Sequence, residues 1–295
     1  YMPASEVQPG MIGVGRTVFK GTTIEEFQAT ILGVVRSNIG PQRDLIIARL
    51  SGGPLARTGV IAGMSGSPVY IENRLIGAVS YALGSFATEP IAGITPIEEM
   101  IEATTRGAGA VARVPPIPIG SDMAALSSAL AETLRPARGF VPLAWPAGAE
   151  AAGVATAAAL RPIALPFTVG GRNTGDAAAV GRTMASFGDT GFVVSPAVPA
   201  TPQDLPVQTG PLRPGDPVGV GLITGDLQFG ATGTVTDVDG DRVLAFGHPL
   251  YNVGPAAFAM TRAYVHAVLP SLNSSMKLAS IGDVVGTLQQ DRSTA

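Results

Sequence analysis

The sequence predicts a mainly β fold, with two β modules separated by an Ala/Pro-rich stretch that carries a small α+β element. Composition carries the first argument. Glycine (38) and proline (25) make up more than a fifth of the 295 residues, and aromatics only 5%. That suits many short strands and turns with small side chains filling the gaps. Patterning carries the second. Alternating, β-branched segments gather in residues 1–105 and 206–295, while 106–205 is rich in Ala, Pro and Gly. With 46% hydrophobic and 14% charged residues, the chain buries a core easily and is no long disordered segment.

In the first module, residues 10–19 read as a turn followed by a strand. Residues 26–35 alternate and end in β-branched side chains, and 44–50 form a short apolar strand. The runs 68–71 and 75–81 flank Glu72, Asn73 and Arg74, a hairpin signal. Thr95 is expected to cap a helix, with Pro96 at its first position and Glu98 closing a capping box. In the middle stretch, Val114–Pro118 is extended. Ser121 is expected to cap a helix over 122–134, ended by Pro136. Residues 149–160 are ambiguous; a strand from 166, a helix near 177–186 and a strand at 191–195 complete the α+β element. In the last module, 212–217 is a turn and 218–224 a strand. Residues 230–237 and 242–246 flank Val238-Asp-Gly-Asp241, a hairpin turn. A further strand covers 281–288. His266 alternates in a strand or helix and reads as structural.

Charge and cysteine content exclude several functions. The net charge is −3, without the basic footprint that nucleic-acid binding needs. No apolar run has the length of a membrane helix. Cysteine is absent, which excludes disulfides, thiolate nucleophiles and Cys-based zinc sites. The two histidines, His248 and His266, leave little for a His-rich metal site, and any general-base histidine is one of them. No Walker loop, dinucleotide fingerprint, EF-hand loop or zincin motif is present, so neither a cofactor nor a metal is expected. The chain starts at Tyr1, which a trimmed start or a removed signal peptide explains equally well. Its tail, Gln289-Gln-Asp-Arg-Ser-Thr, has no capping or stop signal, which leaves open whether the parent protein continues.

The most specific segment is Ala62-Gly-Met-Ser-Gly-Ser-Pro-Val69. A serine between glycines can sit on a tight turn with its Oγ presented, and flanking glycine lets backbone N–H groups converge on one point. The bland reading is an ordinary Gly/Ser turn. The form Gly-x-Ser-Gly-x-Pro before a hairpin resembles the nucleophile turn of chymotrypsin-like serine peptidases. That likeness implies Ser65 as nucleophile and the amides of Gly63 and Ser65 as oxyanion donors. It also implies that Ala92, Gly93 and Ile94 lie in the strand that pairs with substrate. Met64 stands where trypsin-like enzymes carry an acid, so activation by a buried N-terminal ammonium is not expected.

A second stretch adds to this. Gly233-Thr-Val-Thr236, the Asp-Gly-Asp turn and Ala245-Phe-Gly-His248 resemble the histidine segment of the SpoIVB peptidase family. The Gly-Met-Ser-Gly-Ser-Pro form, Gly77-Ala-Val79, Gly93-Ile-Thr-Pro96, Ile281-Gly-Asp283 and Gly286-Thr-Leu288 continue the likeness, which covers residues 10–105 and 215–290. The resemblance implies two chymotrypsin-like β-barrels, the serine-bearing one in 1–105 and the histidine-bearing one in 206–295, with 106–205 between. In that family the histidine half comes first; here Ser65 precedes His248, so the resemblance implies a circular permutation. The alternative is that each half works with a second copy. The family's aspartate, upstream of its serine, falls here on Ser51, which can accept an imidazole N–H but brings no charge. Asp44, Asp237, Asp239, Asp241 and Asp283 are other acids near either half, each more simply read as solvated.

The expectation is therefore an exported serine endopeptidase. It would act on a protein or peptide substrate, or on itself, through Ser65 and His248, the imidazole being oriented by Ser51 or by a backbone carbonyl. The alternative is a degenerate peptidase fold kept as a peptide-binding or assembly scaffold. No nucleic-acid partner is expected, and a homo-oligomer is compatible with either reading.

Overall fold

The computed structural model describes residues 1–36, 43–83, 88–105, 160–171, 192–194, 205–206, 208–224 and 227–292. The first module holds β1 (Ile12–Val18), β2 (Ile24–Val35), β3 (Leu45–Ser51), β4 (Ser67–Ile71), β5 (Arg74–Leu83) and β6 (Ile91–Pro96). A short helix, α1 (Leu55–Thr58), lies between β3 and β4, and α2 (Ile97–Thr105) follows β6. The order β4-β1-β2-β3-β6-β5 closes because β4 also pairs with β5. Closure removes free edges, which is how an all-β module hides its backbone groups. Its interior is aliphatic, with Ile31, Ile46, Leu50, Ile61, Met64, Ile76 and Ile94 among its buried side chains. The β4–β5 hairpin is the one the sequence foretells, but its turn has two residues, since Arg74 already belongs to β5. Glu72 and Asn73 have φ of 49° and 60°, the double left-handed geometry that matches strand twist.

The capping expectation at Thr95 fails. Thr95 is a strand residue opposite Ala78, and its hydroxyl donates to the Gly247 carbonyl at 2.8 Å rather than accepting from a helix N–H. Glu98 instead accepts from the Ala4 amide at 3.3 Å.

The second module is an open sheet, not the barrel expected. Its strands are β8 (Leu165–Gly171), β9 (Phe192–Val194), β10 (Pro217–Ile223), β11 (Leu227–Asp239), β12 (Arg242–Ala245), β13 (Gly254–Leu269) and β14 (Met276–Asp291). The order is β14-β13-β10-β11-β8-β9, with β12 on β11. All pairs are antiparallel except β8–β9. Among the described residues no ladder joins the two ends. The reason lies in β13 and β14, each 16 residues long and far longer than the sequence suggests. Register shifts at four places in their ladder coil the hairpin, and it reaches over to the first module instead of closing the ring. Phe167 stacks on Phe229 at 5.0 Å within the sheet's core.

The described part of the middle stretch is not a separate element. β7 (Leu160–Pro162) joins the first module along β5, and β8 belongs to the second. The helices expected at 122–134 and 177–186 lie outside the described residues. No helix among the described residues is long and apolar enough to cross a membrane.

The modules are stitched by backbone. Gly21 and Val265 exchange hydrogen bonds at 2.6 and 3.2 Å. Ala62 N–H donates to the Ser275 carbonyl at 2.8 Å, and Lys277 N–H to the Ala62 carbonyl at 2.9 Å. Val18, Val265 and Ala279 are buried beside this seam. Gly66 sets how close the modules come: at φ +94°, a Cβ there would stand 2.0 Å from the Thr234 carbonyl oxygen and 2.5 Å from the Phe246 nitrogen. Both obstacles are backbone, so no rotamer change relieves them. Gly66→Ala is therefore expected to destabilise the protein by about 3 kcal/mol or more in urea titration. Gly33→Ala, with nothing within 4 Å of the added methyl, should stay within about 0.5 kcal/mol of wild type.

Candidate active site

Ser65 lies on the turn between Ala62 and β4. Gly63 and Gly66, at φ of +93° and +94°, allow the chain to reverse on both sides of it. The turn is tied internally: Met64 N–H donates to the Ile61 carbonyl at 3.0 Å and Ser67 N–H to the Met64 carbonyl at 2.9 Å. The Ser67 hydroxyl donates to that same Met64 carbonyl at 2.7 Å. It is tied to the second module by β11. Thr234 N–H donates to the Ser65 carbonyl at 2.8 Å. The hydroxyls of Thr234 and Thr236 donate to the carbonyls of Gly63 and Gly66 at 3.1 and 2.8 Å. All these groups are buried.

These bonds leave two donors over. Among the described residues, the amides of Gly63 and Ser65 donate to no acceptor, whereas those of Met64, Gly66 and Ser67 all do. Unpaired buried N–H groups are rare in folded proteins, and here they fall on the first and third residues of one turn.

His248 arrives from the other module. β12 ends at Ala245, and Phe246 and Gly247 then take left-handed conformations, φ 67° and 73°, which swing the chain back toward β4. Gly233 makes room for the Phe246 ring: a Cβ there would stand 2.4 Å from it. From the first module, Thr95 holds the Gly247 carbonyl while sharing a 2.6 Å bond with the Ser80 hydroxyl. The outcome is a 2.8 Å hydrogen bond between Ser65 Oγ and His248 Nε2, across 183 residues of chain.

The tautomer follows from the far side of the ring. His248 Nδ1 faces the Pro249 carbonyl at 3.0 Å. A carbonyl only accepts, so Nδ1 carries the proton and Nε2 accepts from the Ser65 hydroxyl. The Ile163 carbonyl also bonds to this ring, and burial drives the imidazole pKa down to about 4. At neutral pH the ring is thus uncharged and ready to take a proton. The Tyr81 ring stands edge-on to it at 6.5 Å.

The other sequence-picked residues are not brought here. Ser51 is exposed at the end of β3, and its hydroxyl donates to Gln28 Oε1 at 3.3 Å. The Pro249 carbonyl occupies the place expected for it. Asp44, Asp237 and Asp239 bond to Arg36, Tyr1 and Arg242, and Asp283 is exposed. Ala92, Gly93 and Ile94 cannot receive a substrate strand. Each is paired on one side with β3 and on the other with β5, because β6 lies inside the closed barrel. His266 bonds Ser280 Oγ at 2.9 Å, away from the site.

Two charged residues escaped the sequence reading. Asp291 is buried at the end of β14, and its carboxylate accepts from the amides of Leu250, Tyr251 and Val253 at 2.7, 2.8 and 3.3 Å. It clamps the loop that begins at Pro249, behind the imidazole. Lys277 is buried against Gly63, and its ammonium has the Thr17 hydroxyl at 2.8 Å. Burial lowers its pKa to about 7. Neither has a local sequence signal, since each is a lone charge in a β-pattern whose partners lie far away in the chain.

Comparison with protein families gives one match. Residues 2–101 match the family model of the SpoIVB peptidase S55 domain. The match contains the whole closed barrel and the Ser65 turn; His248 lies outside it. No curated protein and no solved structure matches the chain.

The buried bases fix the sign of the acid response. Between pH 4 and 6.5 the unfolded chain protonates His248 while the folded one does not, and between about pH 7 and 10.5 the same holds for Lys277. In both windows the unfolded state binds more protons, so stability rises with pH. Lys277→Met should abolish the upper rise and stabilise the protein at pH 7 by on the order of 2 kcal/mol, read by denaturant titration across pH.

Proposed function

We propose that the chain is a serine peptidase of the SpoIVB type working through a Ser65–His248 dyad. The observation that carries this is the 2.8 Å bond between the two side chains, formed on a turn whose Gly63 and Ser65 amides meet no acceptor among the described residues. The family match over residues 2–101 supports the reaction class. Serine before histidine along the chain is, in this reading, a permutation of the family's order.

In this mechanism the Ser65 oxygen attacks the carbonyl carbon of a peptide bond, and His248 Nε2 takes the hydroxyl proton. The amides of Gly63 and Ser65 bind the oxyanion that develops, each worth roughly 3 kcal/mol of barrier. His248 then passes its proton to the departing amine as the C–N bond breaks. Water, activated by the same imidazole, attacks the ester and releases the acid, returning the proton to Ser65. The Pro249 carbonyl keeps the ring in the correct tautomer, as a carboxylate would, but brings no full charge to the imidazolium. The rate should accordingly be low beside that of a carboxylate-backed triad.

The uncharged group behind the ring also favours a second reading, a peptide-binding scaffold derived from a peptidase. One experiment separates the two. A fluorophosphonate probe should label Ser65 in the wild type, leave Ser65→Ala unlabelled, and react about 100-fold more slowly with His248→Ala. Absence of labelling at any pH in folded protein whose dyad is open to solvent would leave the scaffold.

A further inference from the structure

Substrate peptides in a β-framework bind by adding a strand to a free edge, and the closed barrel has one place where such an edge lies beside the dyad. On one side β5 is paired with β6 as far as Ala82. On the other it is paired with β4 only from Arg74 to Val79, where Val79 meets Ser67. From Ser80 onward that second edge runs on without β4, starting two residues from the Ser65 turn. β7 lies along it. Tyr81 pairs with Pro162, Ala82 with Arg161 and Leu83 with Leu160, antiparallel. The Ile163 amide continues the ladder to the Ser80 carbonyl at 2.9 Å.

Ile163 then does two further things. Its side chain is 4% exposed and belongs to the first module's apolar core together with Ile61, Met64 and Val79, two of which flank the serine turn. Its carbonyl bonds to the His248 ring and not to the amides of Gly63 and Ser65, which have no acceptor among the described residues. Both Ser65 and His248 are buried, 0% and 2% exposed. A strand laid in this way holds a peptide carbonyl beside the dyad in a pose that does not use the oxyanion donors.

Resting on the peptidase reading above, we infer that β7 is an intramolecular occupant of the Ser80–Leu83 edge of β5, the edge along which a substrate backbone would run. The site takes an extended peptide with a branched aliphatic side chain where Ile163 sits, and the free enzyme is self-blocked until Leu160–Ile163 leaves. The segment has the means to leave. Its ladder covers three residue pairs, and Pro162 has no N–H to give.

The full chain carrying Ile163→Glu, which sets a charge against the apolar pocket, is compared with wild type for rate of fluorophosphonate labelling at Ser65. Amide exchange of Tyr81–Leu83 reports whether the edge has opened. Labelling at least tenfold faster, with faster exchange, is the expected result. The peptide acetyl-Leu-Arg-Pro-Ile-amide in excess should then slow the variant's labelling, and the same peptide with Asp for Ile should not. Should Ile163→Glu fail to fold, Ile163→Ala takes its place with at least threefold acceleration expected. Equal labelling of wild type and a folded variant whose edge has opened overturns the self-blocking while leaving the dyad standing. Equal competition by the two peptides overturns the aliphatic pocket. No labelling of either form with the edge open overturns the hydrolase reading, and this inference with it.

Discussion

The site depends on how β11 meets the serine turn. Ser65 and His248 belong to different modules, and neither module alone fixes the distance between them. What fixes it is a row of buried contacts in which Thr234 and Thr236 donate to the carbonyls of Gly63, Ser65 and Gly66. These carbonyls face inward because their residues reverse the chain, and each would be an unsatisfied acceptor without the threonines. The same contact explains why Gly66 has no side chain and why Gly233 makes way for Phe246. Two hydroxyls, an amide and two missing methyl groups together define the spacing of the dyad.

Thr95 completes the arrangement from the other side. It sits in β6 with its hydroxyl on the Gly247 carbonyl and on Ser80, so the first module reaches out to the residue before the histidine. Each module thereby grips the turn that carries the other's reactive group. Such reciprocal satisfaction makes the polar seam all-or-none, because loosening one bond strands its partners in a dry interior.

The sequence made much of this legible, and the reason it stopped where it did is physical. Ser65 and His248 stood out because glycines flank the one and a strand end precedes the other, and such backbone constraints are local. The first barrel was readable from alternation and from the Glu72-Asn73 turn. The open form of the second sheet was not, since closure depends on which edges meet, and the coiling of β13 against β14 arises from bulges that leave no mark in composition. Thr95 reads as a cap because Thr-Pro-x-Glu satisfies a helix-start pattern equally well when the threonine lies in a strand. Ser51 stands at the position where the resembling family has its aspartate, yet its strand leaves it facing Gln28 in solvent. Asp291 and Lys277 were invisible because their partners lie across long stretches of chain.

One consequence follows from the place where the chain passes between modules. β7 ends at Pro162 and β8 begins at Leu165, so Ile163 and Ala164 are the covalent link between the half with the hydroxyl and the half with the imidazole. While intact, that tether keeps the halves at an effective concentration of about millimolar or above. A single nick there would turn the reactive pair into a complex of two polypeptides, whose survival on dilution would rest on the non-covalent contacts between the modules, among them the Gly21–Val265 and Ala62–Ser275 bonds, the threonine seam and the Thr95–Gly247 bond. The lifetime of the site would then be set by dissociation rather than by unfolding.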